Sequence, residues 1–220
     1  DLVTQMDQQV QKDLVEKITH RYPEDWIFAE EDGLRSPISE GSVWVIDPID
    51  GTNNFVTQKE DFAVMVAYFE DGIGQFGLIY DVMRDHLFYG GGEFPVYRNE
   101  VELTPFVDQP LENFLIASNV GMLEKNDWGM ADLGMDSLGI RVYGSAGISF
   151  SKILSGGILA YFSYIWPWDY AAAAIMGERL GYTVLNLNGD KPNYQSVEPI
   201  MMVPKVKLTE IQTYLKKGRS

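Results

Sequence analysis

The chain has 220 residues, 32 acidic and 17 basic, for a formal net charge of −15, with two histidines and no cysteine. The missing cysteine excludes thiolate zinc sites, disulfide scaffolds, redox dithiols and cysteine nucleophiles, and so negative a field disfavours a broad nucleic-acid footprint. A hydrophobic content of 45% and an aromatic content of 13% mark a folded protein and not an acidic disordered tail.

In chain order, residues 4–21 read as an amphipathic helix, because Met6, Val10, Leu14 and Ile18 recur every four positions and Pro23 lies just beyond. Trp26-Ile27-Phe28-Ala29 is a short apolar strand ending in Glu30-Glu31-Asp32-Gly33. Val43-Trp44-Val45-Ile46 is a second buried-type strand, running into Asp47-Pro48-Ile49-Asp50-Gly51-Thr52, where proline and glycine are expected to stop regular pairing. A meander follows near 62–69, 74–81 and 86–89, with turns at Asp71-Gly72 and Met83-Arg84-Asp85. Residues 113–119 resemble another buried strand, and 121–139 are loop-rich with no period that assigns them. Ser145 to Leu154 is helical, 158–164 extended, and Trp168 to Leu180 an alanine-rich helix closed by Gly181. A strand near 199–203 and a helix near 207–216 complete the chain. Mixed strands and helices point to layered α/β or α+β architecture.

No stretch approaches the roughly 18 apolar residues of a membrane helix, and the N-terminus lacks the regions of a signal peptide. A cytoplasmic setting is the expectation. Because the chain starts at Asp1 and not at methionine, upstream residues are expected to be missing.

Three motifs promise more than they hold. Gly72-Ile73-Gly74-Gln75-Phe76-Gly77 matches G-x-G-x-x-G, but strand-like Leu78-Ile79-Tyr80 follows where a dinucleotide site needs a helix, so a hairpin is expected. Gly90-Gly91-Gly92 lacks the ending of a P-loop. Ser145 lacks the glycine two positions upstream that a nucleophile elbow requires, and His20 and His86 read as surface residues.

Asp47-Pro48-Ile49-Asp50-Gly51-Thr52 carries the most chemistry. If the proline turns the chain, two carboxylates and the Ile49 carbonyl face one opening, and such hard oxygens suit Mg²⁺ or Mn²⁺. Thr52-Asn53-Asn54-Phe55 would start a short helix whose free amides can bind phosphate. The plainer alternative makes Asp50 a helix cap and Asp47 a turn residue. Glu30-Glu31 also ends an apolar strand, where a neighbouring strand could bring it beside Asp47. Asp169 opens a helix, where it also reads as an N-cap.

Ala29-Glu30-Glu31, Trp44 to Phe55, and Trp168-Asp169-Tyr170-Ala171-Ala172-Ala173 together resemble the three signature segments of the inositol monophosphatase family. Asp1-Leu2-Val3-Thr4-Gln5-Met6-Asp7 is similar to that family's D-x-V-T-x-x-D segment. Members normally carry a further N-terminal helix and loop, with a lysine near the active site. The resemblance implies a layered αβαβα sandwich of the inositol monophosphatase and fructose-1,6-bisphosphatase type. Residues 1–115 would form a metal- and phosphate-binding half, and 116–220 a second half completing the site. It further implies a homodimer, with no nucleic acid or membrane partner.

Carried over by matching residue, Glu30, Asp47 and the Ile49 carbonyl would hold one Mg²⁺, and Asp47, Asp50 and Asp169 a second. A third, weaker ion would sit near Glu30, and Mn²⁺ could substitute. Asp7 would pair with Thr52 to activate the attacking water, although Thr4 to Asp7 also reads as a capping box. Gly51 and Thr52 amides would contact phosphate, with Asp50, Asp169 and the Gly144-Ser145-Ala146 segment lining the substrate pocket. The implied reaction is hydrolysis of a small phosphate monoester by a metal-activated water, sensitive to lithium.

One departure bears on substrate. Inositol-hydrolysing members carry a glutamate before the Trp-Asp motif, whereas this chain has Tyr161-Phe162-Ser163-Tyr164-Ile165-Trp166-Pro167. An aromatic wall there would favour stacking over hydrogen bonds to hydroxyls, although strand aromatics are usually core. Fructose 1,6-bisphosphate, NADP and phosphoadenosine nucleotides are therefore alternative substrates. A catalytically impaired scaffold or metabolite-binding relative is the non-enzyme alternative.

Overall fold

A computed structural model describes the backbone of residues 2–217 and the side chains of residues 5–215. Asp1 and the side chain of Thr4 lie outside the described residues. The first helix, α1, runs Leu2–Arg21. It begins upstream of the expected cap, so Asp7 lies inside the helix and does not close a capping box at its start. Its inward residues are Asp7, Gln11, Leu14 and Ile18, while Met6 is exposed. The four-residue spacing found the helix, but two polar side chains occupy the face toward the sheet.

A seven-stranded sheet follows in sequential order: β1 (Trp26–Ala29), β2 (Ser42–Asp50), β3 (Ala63–Glu70), β4 (Ile73–Asp81), β5 (His86–Gly91), β6 (Phe94–Arg98) and β7 (Val101–Glu102). The short α2 (Thr52–Thr57) is inserted after β2. The G-x-G-x-x-G stretch is the β3–β4 hairpin and the start of β4, as its strand-like continuation required. The second sheet has order β11-β12-β10-β8-β9, from β8 (Leu115–Ser118), β9 (Gly139–Arg141), β10 (Tyr161–Ile165), β11 (Tyr182–Asn186) and β12 (Glu198–Pro204).

Residues 121–139 are more regular than their sequence suggests. They contain α3 (Val120–Glu124), a 3-10 turn, α4 (Met130–Asp136) and the start of β9. Met122, Met130 and Leu133 bury into the second core, which the scattered glycines and aspartates hide from a periodicity reading.

Helices α5 (Ala146–Leu154) and α6 (Pro167–Arg179) lie between the sheets, α1 covers the outer face of the first, and α4 and α7 (Leu208–Lys217) flank the second. The result is an αβαβα sandwich. Helix α6 is apolar nearly all round, burying Trp168, Tyr170, Ala171, Ala172, Ala173 and Met176, as a helix packed on two sides must be. It presses so close that a Cβ on Gly77 of β4 would lie 2.3 Å from the Ala172 carbonyl oxygen. Only glycine fits there. No described helix is long and apolar enough to cross a membrane.

Candidate active site

Strand β2 does not stop at Pro48 but continues to Asp50. It pairs Asp47 with Met65 and Asp50 with Ala63 of β3, so three steps on β2 oppose two on β3. This is a bulge, and the proline, which has no N–H to donate, sits inside it. In a regular strand, residues three apart point to opposite faces. The extra residue re-aims the chain, and Asp47 and Asp50 reach the same opening. The carboxylate pair therefore arises from a bulge within a strand and not from a turn.

The parallel pairing of β1 with β2 matches Ala29 to Ile46, and the Glu30 amide donates to the Ile46 carbonyl at 3.2 Å. Glu30 is thereby set beside Asp47. Gln11 of α1 fixes the next residue: its side chain donates to the Glu31 carbonyl and accepts from the Glu31 amide, at 3.0 and 2.9 Å.

Asp169 comes from α6. It is the third helical residue, with Trp166 as N-cap, and its Oδ2 accepts from the Trp166 amide at 2.7 Å. The Asp169 amide donates back to the Trp166 carbonyl at 3.1 Å, so the two residues bond reciprocally across the helix start and Asp169 is not itself the N-cap. Carboxylate oxygens of Asp47, Asp50 and Asp169 lie within 4.8 Å of one another.

Asp50 does not cap α2, which has no side-chain cap. It caps α5 instead. Its oxygens accept from the Ala146 amide at 3.0 Å, the Gly147 amide at 2.7 Å and the Ser145 hydroxyl. Ser145 is the N-cap of α5 and also accepts from the Ile148 amide at 3.1 Å. Gly51, at φ +86°, lies against this cap: a Cβ there would come 2.9 Å from the Ser145 Cβ.

Burial and mutual repulsion govern the acids. Burial lifts Asp47 well above the usual carboxylate range, helped by Asp50, Asp169 and Glu30. Burial, then Asp50, pushes Asp169 up to about 8. Burial also raises Glu30 to about 7, with Asp47 opposing and Glu31, Asp7 and Asp50 adding. Asp50 is raised by burial and drawn back by Ser145, Gly147 and Ala146.

A divalent cation would reverse these shifts, and the donors fit one: all are hard oxygens, and among the described residues the buried Asp47 Oδ1 has no hydrogen-bond partner.

Asp7 is buried too, and burial with Glu31 pushes it up to about 6. Among the described residues it makes no hydrogen bond to Thr52, whose hydroxyl donates to the Ile49 carbonyl at 3.1 Å.

Beside Asp50 and Asp169 opens a cavity of about 310 Å³. Gly144, Ser145 and Ala146 line one side, and Ser118, Asn119, Tyr161 and Ser163 are among its other walls. Asn119 donates to the Ser163 hydroxyl at 3.1 Å. The expected aromatic wall is only partly there, because β10 alternates. Tyr161, Ser163 and Ile165 line the cavity, Phe162 enters the second core, and Tyr164 accepts from Trp128 at 3.4 Å.

Sequence reading missed Gln11, the Gly147 amide and the Asn119–Ser163 pair, none of which lies in an acidic motif. Asn54 was read only as part of a helix start. Its buried side chain donates to the carbonyls of Asp61 and Tyr143, at 2.9 and 2.7 Å, joining α2 to the segment before Ser145.

A model of the inositol monophosphatase family matches residues 1–218. An inositol-1-monophosphatase of Bacillus subtilis is 36% identical over 196 residues, covering 86% of this chain and 74% of its own. The crystal structure of inositol monophosphatase-II from Staphylococcus aureus superimposes with a TM-score of 0.93 at 31% identity, covering 99% of this chain and 84% of its own. Structures of SaIMPase-II bound to inositol monophosphate and to 2′AMP each give a TM-score of 0.91 at 31% identity, over 99% of this chain and 86% and 85% of theirs.

Proposed function

The chain belongs to the inositol monophosphatase family and is a phosphatase, and on that premise we propose that it hydrolyses small-molecule phosphate monoesters, inositol 1-phosphate among them, with Mg²⁺. The observation that carries the proposal is the convergence of Asp47, Asp50 and Asp169 within 4.8 Å beside a cavity large enough for a sugar-sized alcohol.

Glu30, Asp47 and the Ile49 carbonyl would hold one ion, and Asp47, Asp50 and Asp169 a second. Bound there, Mg²⁺ supplies Lewis-acid chemistry that lowers the pKa of water and neutralises a phosphoryl group. The chain's own residues do the rest. The first-turn amides of Gly51 and Thr52 are assigned to phosphate oxygens, while Ser145, Ala146 and Gly147 fix Asp50 and favour its charged form. Asp7 and Thr52 are assigned to orienting the attacking water. The walls around Asn119 and Ser163 offer neutral hydrogen-bonding groups to the leaving alcohol. Lithium inhibition, a homodimer and a cytoplasmic setting belong to the same proposal.

A nucleotide 2′-phosphate, such as that of NADP, is the second reading. The 2′AMP complex of a 31% identical relative favours it, as does the lack of a carboxylate on β10.

Phosphate release should be measured with and without EDTA on inositol 1-phosphate, NADP, fructose 1,6-bisphosphate and a phosphoadenosine nucleotide. Metal-dependent turnover on at least one is expected. No release from any would favour a non-catalytic relative, and equal rates on all four would deny the cavity a selective role.

A further inference from the structure

Arg35 carries no charge of the acid cluster, yet it touches both segments that bring outlying carboxylates into it. It follows a tight turn at Asp32 and Gly33, both at positive φ, and bridges back to Phe28. The rim of its guanidinium donates to the carbonyls of Ala29, of Leu34 at 3.0 Å and of Glu30 at 3.2 Å. Its Cζ lies over the Trp168 ring, 4.5 Å from the centroid.

Trp168 immediately precedes Asp169 and stacks on Trp166, with centroids 4.8 Å apart and planes 9° from parallel. The Trp166 amide in turn holds Asp169. Among the described residues Arg35 forms no ion pair, so its contacts are carbonyl hydrogen bonds and ring faces.

We propose that Arg35 is a positioning residue that sets the gap between Glu30 and Asp169, the two carboxylates that do not come from β2. The requirement is geometric: one group must offer several in-plane N–H donors to the β1 end and a flat cationic face to an indole. Guanidinium does both. An ammonium can reach one carbonyl but cannot span the others while lying flat on a ring. The inference rests on the metal-centre reading above.

The test uses the full chain with Arg35→Lys and Arg35→Ala. Mn²⁺ affinity is measured by calorimetry, alongside thermal melting and the near-ultraviolet circular dichroism of the Trp166–Trp168 pair. Arg35→Lys should melt close to the wild type yet bind Mn²⁺ about tenfold more weakly, the size of loss seen when groups orienting metal ligands are removed, with an altered tryptophan signal. Should Arg35→Ala fail to fold, Arg35→Lys decides. A folded Arg35→Lys with wild-type Mn²⁺ affinity overturns the positioning role alone. A wild type that binds no Mn²⁺ overturns the metal-centre reading and this inference with it.

Discussion

Asp50 and Ser145, 95 positions apart in the chain, share a hydrogen bond, and the serine simultaneously caps the helix whose amides hold the same aspartate. One contact therefore serves packing, electrostatics and the site. It joins the first sheet to a helix packed between the two sheets, and it supplies donors that oppose the rise in the Asp50 pKa caused by burial.

Ser145→Ala removes the hydroxyl donor to Asp50 and the acceptor of the Ile148 amide. The loss should be about 1–2 kcal/mol in urea unfolding, the usual cost of an N-cap deletion with one buried bond. Turnover should fall more than substrate affinity. Unchanged stability would mean that the cap contributes nothing.

Asp50→Asn turns an amide NH₂ toward donors that need an acceptor and removes a charge from the cluster. Metal-dependent phosphate release should drop at least about a hundredfold. Near-normal turnover would reject the two-metal assignment.

The metal-free protein should lose stability as pH rises. Folding lifts Asp7 from 3.8 to about 6, Glu30 from 4.5 to about 7 and Asp169 from 3.8 to about 8. Between those values the native state keeps protons that the unfolded chain has released, so the slope of stability against pH is negative. Melting temperature should fall from about pH 4 through about pH 8, and the raised Asp47 extends the fall in the same direction. Saturating Mg²⁺ should flatten the curve and release protons, visible as buffer-dependent binding heats. A metal-free melting temperature that climbs from pH 5 to 8 contradicts the scheme.

Asp7→Asn separates a chemical role from a structural one. The amide is isosteric and ends the repulsion with Glu31, so metal-free stability at pH 8 should hold or rise. If Asp7 helps to activate water, turnover falls by about 10²-fold or more despite that gain. Full activity removes it from the reaction.

The acidic motifs were legible because hard-ligand chemistry repeats oxygen-bearing residues at fixed spacing, and Asp47, Asp50 and Asp169 do come together. How they meet was not legible. Pro48 reads locally as a stop, whereas pairing with β3 tolerates it in a bulge, a tertiary outcome overriding local preference. The second role of Asp50 was hidden for a similar reason: its partners lie at positions 145–147, and nothing near position 50 points to them. The stretch 121–139 hid two helices because its apolar residues are thinly spread among glycine and aspartate. Arg35 bears no motif, and its value appears only once Trp168 is beneath it.

Helix α6 touches β4 with no space for even a methyl group at Gly77. A rod wedged this way has no room to slide, and its central amides should be among the last in the molecule to exchange with solvent. Asp169, on its first turn, is the fixed jaw of a vice. Glu30, on a loop tethered by Gln11 and Arg35, is the jaw with a screw. Changes to those tethers would move Glu30 relative to Asp169 without rebuilding the sandwich.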